Sequence, residues 1–111
     1  MDRRDDRLHG ITGFIFEHMD EPLNVAFLAT HVGLSESRFA HLFARVFGIT
    51  PMAYVERVRM EEAKALLAGG TAPVHAIACR VGYESEFYFS RRFKKHAGVA
   101  PSGYRAQKTG T

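Results

Sequence analysis

The chain has 111 residues, of which 46% are hydrophobic, and a formal net charge of +3 at pH 7. This length predicts one domain with a modest core, and this composition excludes a disordered tail. No apolar run approaches the roughly 20 residues that span a bilayer, and the charged start lacks a signal-peptide core. A single cysteine excludes an internal disulfide framework and fits a reducing compartment, so we expect a cytoplasmic protein with no membrane partner.

Charge is unevenly distributed along the chain. Residues 1–22 hold six acidic and three basic residues, whereas residues 87–111 hold six basic residues and no acidic one. A basic segment of this kind favours a polyanionic partner, but solvated basic helix faces are also common. Charge alone therefore leaves nucleic acid and a solvated surface about equally open.

The first half of the chain predicts three helices, because apolar residues recur at spacings of three and four and strand-like alternation is absent. The first helix has an apolar stripe, made of Leu8, Ile11, Phe14, Ile15 and His18 or Met19. Asn24 is the expected N-cap of a short helix that runs to about residue 31. Gly33 then supplies a turn, and Ser35 caps a third helix that runs to about residue 47, before Gly48.

The second half begins with Thr50 and Pro51, a cap followed by proline at the first helical position. The helix that follows has an apolar side, formed by Tyr54, Val55, Val58, Ala63, Leu66 and Leu67. Further helices are expected to start near residues 73, 85 and 101, with Gly82 in the turn between the first two. We therefore predict an all-α domain, 1–111, with helical units 8–48 and 73–107 joined by a linker helix, 51–68. At ~1.5 Å per residue this linker measures ~25 Å.

The two units repeat one another. Residues 28–54 align with residues 77–104 when Glu84 is treated as an insertion in the second copy. The matched pairs include Gly33 with Gly82, Phe39 with Phe89, Phe43 with Phe93 and Tyr54 with Tyr104. Two copies are too few for a solenoid. Each copy instead has the helix, glycine turn and helix of a helix-turn-helix unit, so the fold expected is two such units in one chain.

The second helix of each unit has a predicted inward and a predicted outward face. With Phe39 and Phe89 at the centre of the buried side, the residues expected to join them are Leu42, Phe43 and Val46 in the first copy and Phe93 and His96 in the second. The outward row is Ser37, His41 and Ala44 in the first copy, and Phe87, Arg91 and Lys94 in the second. Inward residues are thus kept while outward residues diverge, which fits either readout of different bases or drift on a solvated surface.

The outward row of the second copy has the chemistry of a DNA-reading surface. Arg91 can fork to guanine O6 and N7, and Phe87 can touch a thymine methyl group, unless Phe87 packs against the first helix of its unit. Glu86 can accept from a cytosine amino group or repel phosphate. Lys94 and Lys95 are candidates for phosphate contacts or for a solvated face.

The first copy is chemically poorer. His41 and the neighbouring Ser37 and Arg38 are its candidates for base contacts, and Arg45 is its candidate for a phosphate contact. The two capping serines, Ser35 and Ser85, are further phosphate candidates at the helix starts. We therefore expect the first unit to bind more weakly or less selectively than the second.

Other chemistries find little support. The six histidines show no metal-ligand spacing, neither HExxH nor CxxC occurs, and there is no glycine-rich phosphate loop. Cys79 has no activating partner placed by sequence, so a structural role is expected for it. We predict that the chain is not an enzyme and needs no metal or cofactor.

The segment GYESEFYFSRRFKKHAGVAPSGYR, residues 82–105, resembles the C-terminal DNA-binding domain of AraC/XylS transcription regulators. RMEEAKALL, residues 59–67, is similar to the linker helix of that family, and LNVAFLATHVGLSESRFAHLF to its first helix-turn-helix. The resemblance implies two recognition helices, about 36–47 and 86–96, in successive major grooves of double-stranded DNA. By position it assigns base or backbone contacts to Ser37, Arg38, His41, Glu86, Phe87, Ser90 and Arg91. The family often has arginine where this chain has His41, a departure that weakens the first unit's contact.

The resemblance also implies RNA polymerase as a partner and a location at the nucleoid. We expect a monomeric domain. Its charged start is either the natural terminus of a short stand-alone regulator or the linker of a longer regulator that dimerises through a sensing domain, and we favour the second alternative. Two alternatives stay open, namely the DNA-targeting module of a repair or modifying protein and a helical protein-interaction module.

Overall fold

The computed structural model describes residues 8–110. Seven α-helices and no strands occur in this range: α1 Ile11–Glu17, α2 Val25–His31, α3 Glu36–Phe47, α4 Pro51–Gly69, α5 Val74–Arg80, α6 Glu86–Ala97 and α7 Pro101–Thr109. The all-α prediction is confirmed, with α4 at the position of the linker helix. No helix within residues 8–110 combines the length and apolar character that crossing a bilayer requires.

Local hydrogen bonds explain where the helices begin and end. The Asn24 side chain accepts from the Phe27 N–H at 2.8 Å at the start of α2. Thr50 Oγ1 accepts from the Ala53 N–H at 3.2 Å at the start of α4. Gly48 ends α3 with a φ of 80°, a left-handed conformation that a side chain would strain. Each of these start and stop signals is legible in the sequence.

The helix α1 is shorter than its apolar stripe. Gly10 precedes it with a φ of 81°, so the helix begins at Ile11 and Leu8 lies before it. Leu8 is nevertheless buried, and at the other end Met19 is buried while His18 is only half-buried. The stripe therefore marks the buried side of the segment rather than the length of the helix.

The chain divides into two compact units, whose boundary falls inside α4 between Val58 and Arg59. The first unit has a core drawn from α1, α2, α3 and the start of α4. Its fully buried side chains are Ile11, Ile15, Leu28, Ala29, Phe39, Phe43 and Val55. An aromatic cluster extends this core, because the Phe14 ring stacks between His18 and His31 at centroid distances of 4.1 and 3.7 Å.

The second unit has its own core, in the part of the chain from Arg59 onward. Its most buried side chains are Met60, Ala63, Leu67, Ile77, Ala78, Val81, Phe89 and Phe93. Met60 is 1% exposed although the predicted apolar side of the linker helix omits it. The signal was present, since Met60, Ala63 and Leu67 are spaced by three and four residues, which places them on one helix face.

Two residues predicted to point inward are exposed. Val46 and His96 occupy the same position in the two copies, and both are solvent-exposed, Val46 at 40%. Both lie in the last turn of their helix, and the residue that follows each of them is half-buried. In the first unit that residue is Phe47, whose ring lies 4.4 Å from Phe43. Cys79, expected to be structural, is likewise exposed.

Arg105 connects α7 to the end of α4 within the second unit. Its Nε donates to the Leu67 carbonyl oxygen at 3.1 Å, and an η nitrogen donates to the Ala72 carbonyl oxygen at 2.7 Å. The last carbonyls of a helix have no partner within the helix, and cations are favoured beside them. Arg105 thus satisfies the end of α4 and fixes the segment that leads to α5.

We predict that Arg105→Ala lowers the free energy of unfolding of the second unit by about 1.5–3 kcal/mol, because it removes two charge-assisted hydrogen bonds. The measurement is amide hydrogen exchange resolved by residue, since a chain of two units need not unfold in a single step. Gln107→Ala, on the exposed side of the same helix, is the matched control. Equal protection of the second unit in both variants would contradict a stabilising role for Arg105.

Candidate nucleic-acid interface

A tight turn positions the second helix in each unit. The Leu34 N–H donates to the Ala29 carbonyl oxygen at 2.9 Å, and the Tyr83 N–H donates to that of Ala78 at 2.8 Å. Gly33 and Gly82 adopt φ values of 76° and 101°, which explains the glycine in both turns. The insertion of Glu84 falls after this bond, so the same turn leads into α3 and into α6.

Serine hydroxyls cap both second helices. Ser35 Oγ accepts from the Arg38 N–H at 3.2 Å, and Ser85 Oγ accepts from the Tyr88 N–H at 3.1 Å. Both caps agree with the sequence prediction. Each hydroxyl keeps a proton to donate and is exposed, so capping and a phosphate contact are compatible.

Aromatic rings fix the inward faces of α3 and α6 in the same way. Phe39 and Phe43 lie 5.7 Å apart, and Phe89 and Phe93 lie 5.8 Å apart, all four fully buried. A tyrosine from the next helix then meets the second phenylalanine edge-on at 5.5 Å. The tyrosines are Tyr54 in the first unit, at 72°, and Tyr104 in the second, at 81°.

The outward face of α3 is open to solvent. The predicted contact residues Ser37, Arg38, His41 and Arg45 are all exposed, whereas Ala44 is half-buried. They share one helix, Glu36–Phe47, that begins directly after the Ser35 cap. The structure therefore brings the first unit's candidates onto one element, with Arg45 as the cation of its last turn.

The outward face of α6 is richer in charge. The predicted contact residues Glu86, Phe87, Arg91, Lys94 and Lys95 are exposed, and Ser90 is half-buried. Phe87 is 73% exposed, which excludes the reading in which it packs into its unit. The last turn carries Lys94, Lys95 and His96, where the helix dipole favours cations.

Glu86 has a structural explanation beside its predicted base contact. It stands in the first turn of α6, as Glu36 stands in the first turn of α3. A carboxylate at a helix N-terminus is stabilised by the helix dipole, typically by about 0.3–1 kcal/mol. The helix dipole alone therefore explains why both copies have a glutamate at this position, and no contact with a DNA base is needed.

Sequence reasoning missed Tyr88. Its side chain is 52% exposed beside Phe87, and its ring lies 5.9 Å from that of Tyr83. The repeat contained the signal, because Tyr88 aligns with Arg38, which was a candidate in the first copy. An exposed tyrosine at the start of α6 adds a ring and a hydroxyl to the outward surface.

Within residues 8–110 no three His, Cys, Asp or Glu side chains come together to hold a metal ion. The chemistry that the outward faces of α3 and α6 do offer is cationic and hydrogen-bonding, which suits phosphates and base edges.

Comparison with known proteins identifies the family in which this pair of helix-turn-helix units occurs. A family model described as a helix-turn-helix domain matches residues 28–107, which include both turns and both capped helices. The chain belongs to the AraC/XylS family. It is 38% identical over 103 residues to the arabinose operon regulatory protein of Salmonella typhimurium, covering 92% of this chain and 37% of that protein. The chain therefore spans little more than a third of the relative's length.

Solved structures agree with the assignment to AraC/XylS. The C-terminal domain of AraT, a response regulator from Geobacillus stearothermophilus, superposes with a TM-score of 0.89 at 31% identity, covering 96% of this chain and 88% of that one. The DNA-binding domain of AdpA, a global transcriptional factor solved in complex with a target DNA, gives a TM-score of 0.84 at 25% identity, covering 96% and 93%. These relatives are, by their names, an operon regulatory protein, a response regulator and a global transcriptional factor.

We predict that Ser35→Ala and Ser85→Ala each lower the free energy of unfolding of their own unit by about 1 kcal/mol, because each removes an N-cap. Hydrogen exchange of α3 and α6 amides measures the effect. Ser37→Ala, inside α3, is the control and should change stability by less than about 0.5 kcal/mol. If both caps proved as neutral as the control, the serines would have to be explained by function alone.

Proposed function

We propose that this domain binds double-stranded DNA in a sequence-specific manner, with α3 and α6 as recognition helices, and regulates transcription as part of a longer protein. The observation that carries the proposal is the duplicated geometry. Both units pack the same three aromatic positions together, cap the equivalent helix with serine and leave the opposite face of that helix exposed. An exposed helix face of this kind fits the major groove of B-DNA.

In α6 we assign the roles by chemistry. Arg91 offers a planar fork for guanine, and the exposed Phe87 offers an apolar surface for a thymine methyl group. Lys94 and Lys95, one turn further on, neutralise phosphates and set the position of the helix along the groove. The Ser85 hydroxyl donates a hydrogen bond to a phosphate oxygen. Glu86, whose position the helix dipole already explains, is a secondary candidate to accept a hydrogen bond from a cytosine amino group. The half-buried Ser90 reaches only a base or phosphate that comes close to the helix.

The corresponding positions of α3 provide fewer cationic groups for contacts with DNA. Ser37, Arg38 and His41 are assigned to bases or backbone, and Arg45 and Ser35 to phosphates. The last turn has one cation where α6 has two lysines. We infer that the first unit contributes less affinity and less selectivity than the second.

We further infer that α3 and α6 enter successive major grooves, as units 8–48 and 73–107 joined by the linker helix 51–68. What supports this is the duplication, because each unit has its own serine-capped helix with an exposed face. Double-stranded DNA repeats its major groove with every helical turn of ~34 Å.

The setting proposed for this domain follows from its relatives. The matched relative from Salmonella typhimurium is nearly three times as long as the matched segment. We therefore propose that the domain is monomeric by itself and belongs to a regulator that dimerises through a sensing domain. We propose that this regulator acts in the cytoplasm on the DNA of the nucleoid and that it contacts RNA polymerase.

We predict that binding to a selected duplex weakens steeply with salt. Three phosphate contacts by Arg45, Lys94 and Lys95 correspond to a slope of about −3 in log K against log salt concentration, since each contributes about −0.9. Fluorescence anisotropy between 50 and 200 mM salt, a range of about 0.6 log units, measures it. A slope near zero, or no change in anisotropy with any duplex from a random library, would contradict the DNA-binding proposal.

We predict that Arg91→Ala and Lys95→Ala weaken DNA binding in different ways. Arg91→Ala should cost about 1–3 kcal/mol on the selected site and relax one base position. Lys95→Ala should weaken all sequences alike and reduce the salt slope by about 1. Competition with single-base variants of the site measures both effects.

Lys64→Ala is the charge-matched control for these two variants, because Lys64 on α4 is already paired with Glu61 at 3.1 Å. It should leave the affinity nearly unchanged. If Arg91→Ala weakened every sequence equally, Arg91 would be a phosphate contact and not a base contact.

A further inference from the structure

Phe87 and Arg91 form a pair on the outward face of α6. The guanidinium carbon of Arg91 lies 5.9 Å from the centroid of the Phe87 ring, which is within the range of a cation–π contact. The two residues are four apart in one helix, a spacing that places their side chains next to each other. Phe87 keeps 73% of its surface exposed despite this contact.

The two positions of α3 that correspond to Phe87 and Arg91 hold no such pair. The equivalent positions hold Ser37 and His41, and neither provides an exposed apolar ring beside a guanidinium. The pairing therefore belongs to the outward surface of α6 and not to the fold that both units share. Nothing in the buried core requires it.

The contact has two consequences for Arg91. An arginine side chain that lies against a neighbouring ring has fewer conformations to lose when its fork meets a base. The ring also leaves an apolar surface next to the fork. A bound duplex thus meets a methyl-binding surface and a guanine-binding group as one unit.

The spacing of the pair fits neighbouring base pairs. Four residues correspond to a rise of ~6 Å along the helix, and the ring atoms of Phe87 and the guanidinium nitrogens of Arg91 extend beyond the two points that the 5.9 Å distance joins. Successive base pairs are ~3.4 Å apart. In the major groove, a methyl group on a pyrimidine C5 marks thymine, and paired O6 and N7 acceptors mark guanine.

We propose that Phe87 and Arg91 act as a single specificity determinant that reads a C5-methylated pyrimidine and a guanine in adjacent base pairs. This proposal rests on the proposed DNA-binding function and adds a requirement for the methyl group. Deoxyuridine should therefore not replace the thymine, whereas 5-methylcytosine should restore the methyl contact that cytosine lacks.

The first experiment tests the methyl group. In a duplex selected from a random library, each thymine next to a guanine is replaced in turn by deoxyuridine, and affinity is measured by fluorescence anisotropy. One position should lose about fourfold, the value expected for one buried methyl group. At that position a 5-methylcytosine–guanine pair should bind more tightly than a cytosine–guanine pair by a similar factor.

Variants of Phe87 separate the apolar contact from the cation–π contact. Phe87→Ala should bind the thymine and deoxyuridine duplexes equally. Phe87→Leu should keep part of the preference for the methyl group, because leucine is apolar. It should lose the cation–π contact that restricts the Arg91 side chain. In a double-mutant cycle, Arg91→Ala should therefore cost at least about threefold less in the Phe87→Ala background than in the wild type.

Phe16→Ala is the matched control, because Phe16 is an exposed phenylalanine of α1 that lies outside both α3 and α6. It should retain the preference for thymine over deoxyuridine, and circular dichroism should show all variants folded. Equal binding of thymine and deoxyuridine by the wild type, or independent effects of Phe87 and Arg91, would overturn the pairing while leaving DNA binding intact. The absence of salt-dependent binding to any duplex would overturn both proposals.

Discussion

An edge-to-face contact between two aromatic rings holds α3 in the first unit and α6 in the second. Phe43 meets Tyr54 in the first unit and Phe93 meets Tyr104 in the second, at the same centroid distance of 5.5 Å. The tyrosine comes in each case from the next helix, α4 or α7. Because the contact anchors one face of α3 or α6 to the core of its unit, the opposite face stays in solvent.

The sequence predicted this interior well, because its signals are local. Capping serines, positive-φ glycines and apolar residues at helical spacing act within a few residues of one another. They located all seven helices of the described chain and the buried faces of α3 and α6.

The errors come from contacts that periodicity does not describe. Val46 and His96 have the right helical phase to be buried, but each is exposed in the last turn of its helix, and the next residue is half-buried. The spacing of Phe87 and Arg91 makes their side chains neighbours, but the contact between them depends on side-chain conformations. The repeat aligns Tyr88 with Arg38, whereas the exposure of its side chain is a property of the folded unit. The sequence predicted which helices carry the candidate contact residues. The contacts between neighbouring side chains on those helices became visible only in the structure.

The single-residue insertion at Glu84 shows where this architecture tolerates a change of length. The turn bond of the second unit, from Tyr83 to Ala78, matches its counterpart from Leu34 to Ala29 within 0.1 Å, and the Ser85 cap is likewise retained. The extra residue is therefore absorbed between two fixed points on the surface. A duplicated gene can gain or lose a codon at this place without disturbing either neighbouring helix, which makes residue 84 a suitable position for introducing a spectroscopic label close to α6.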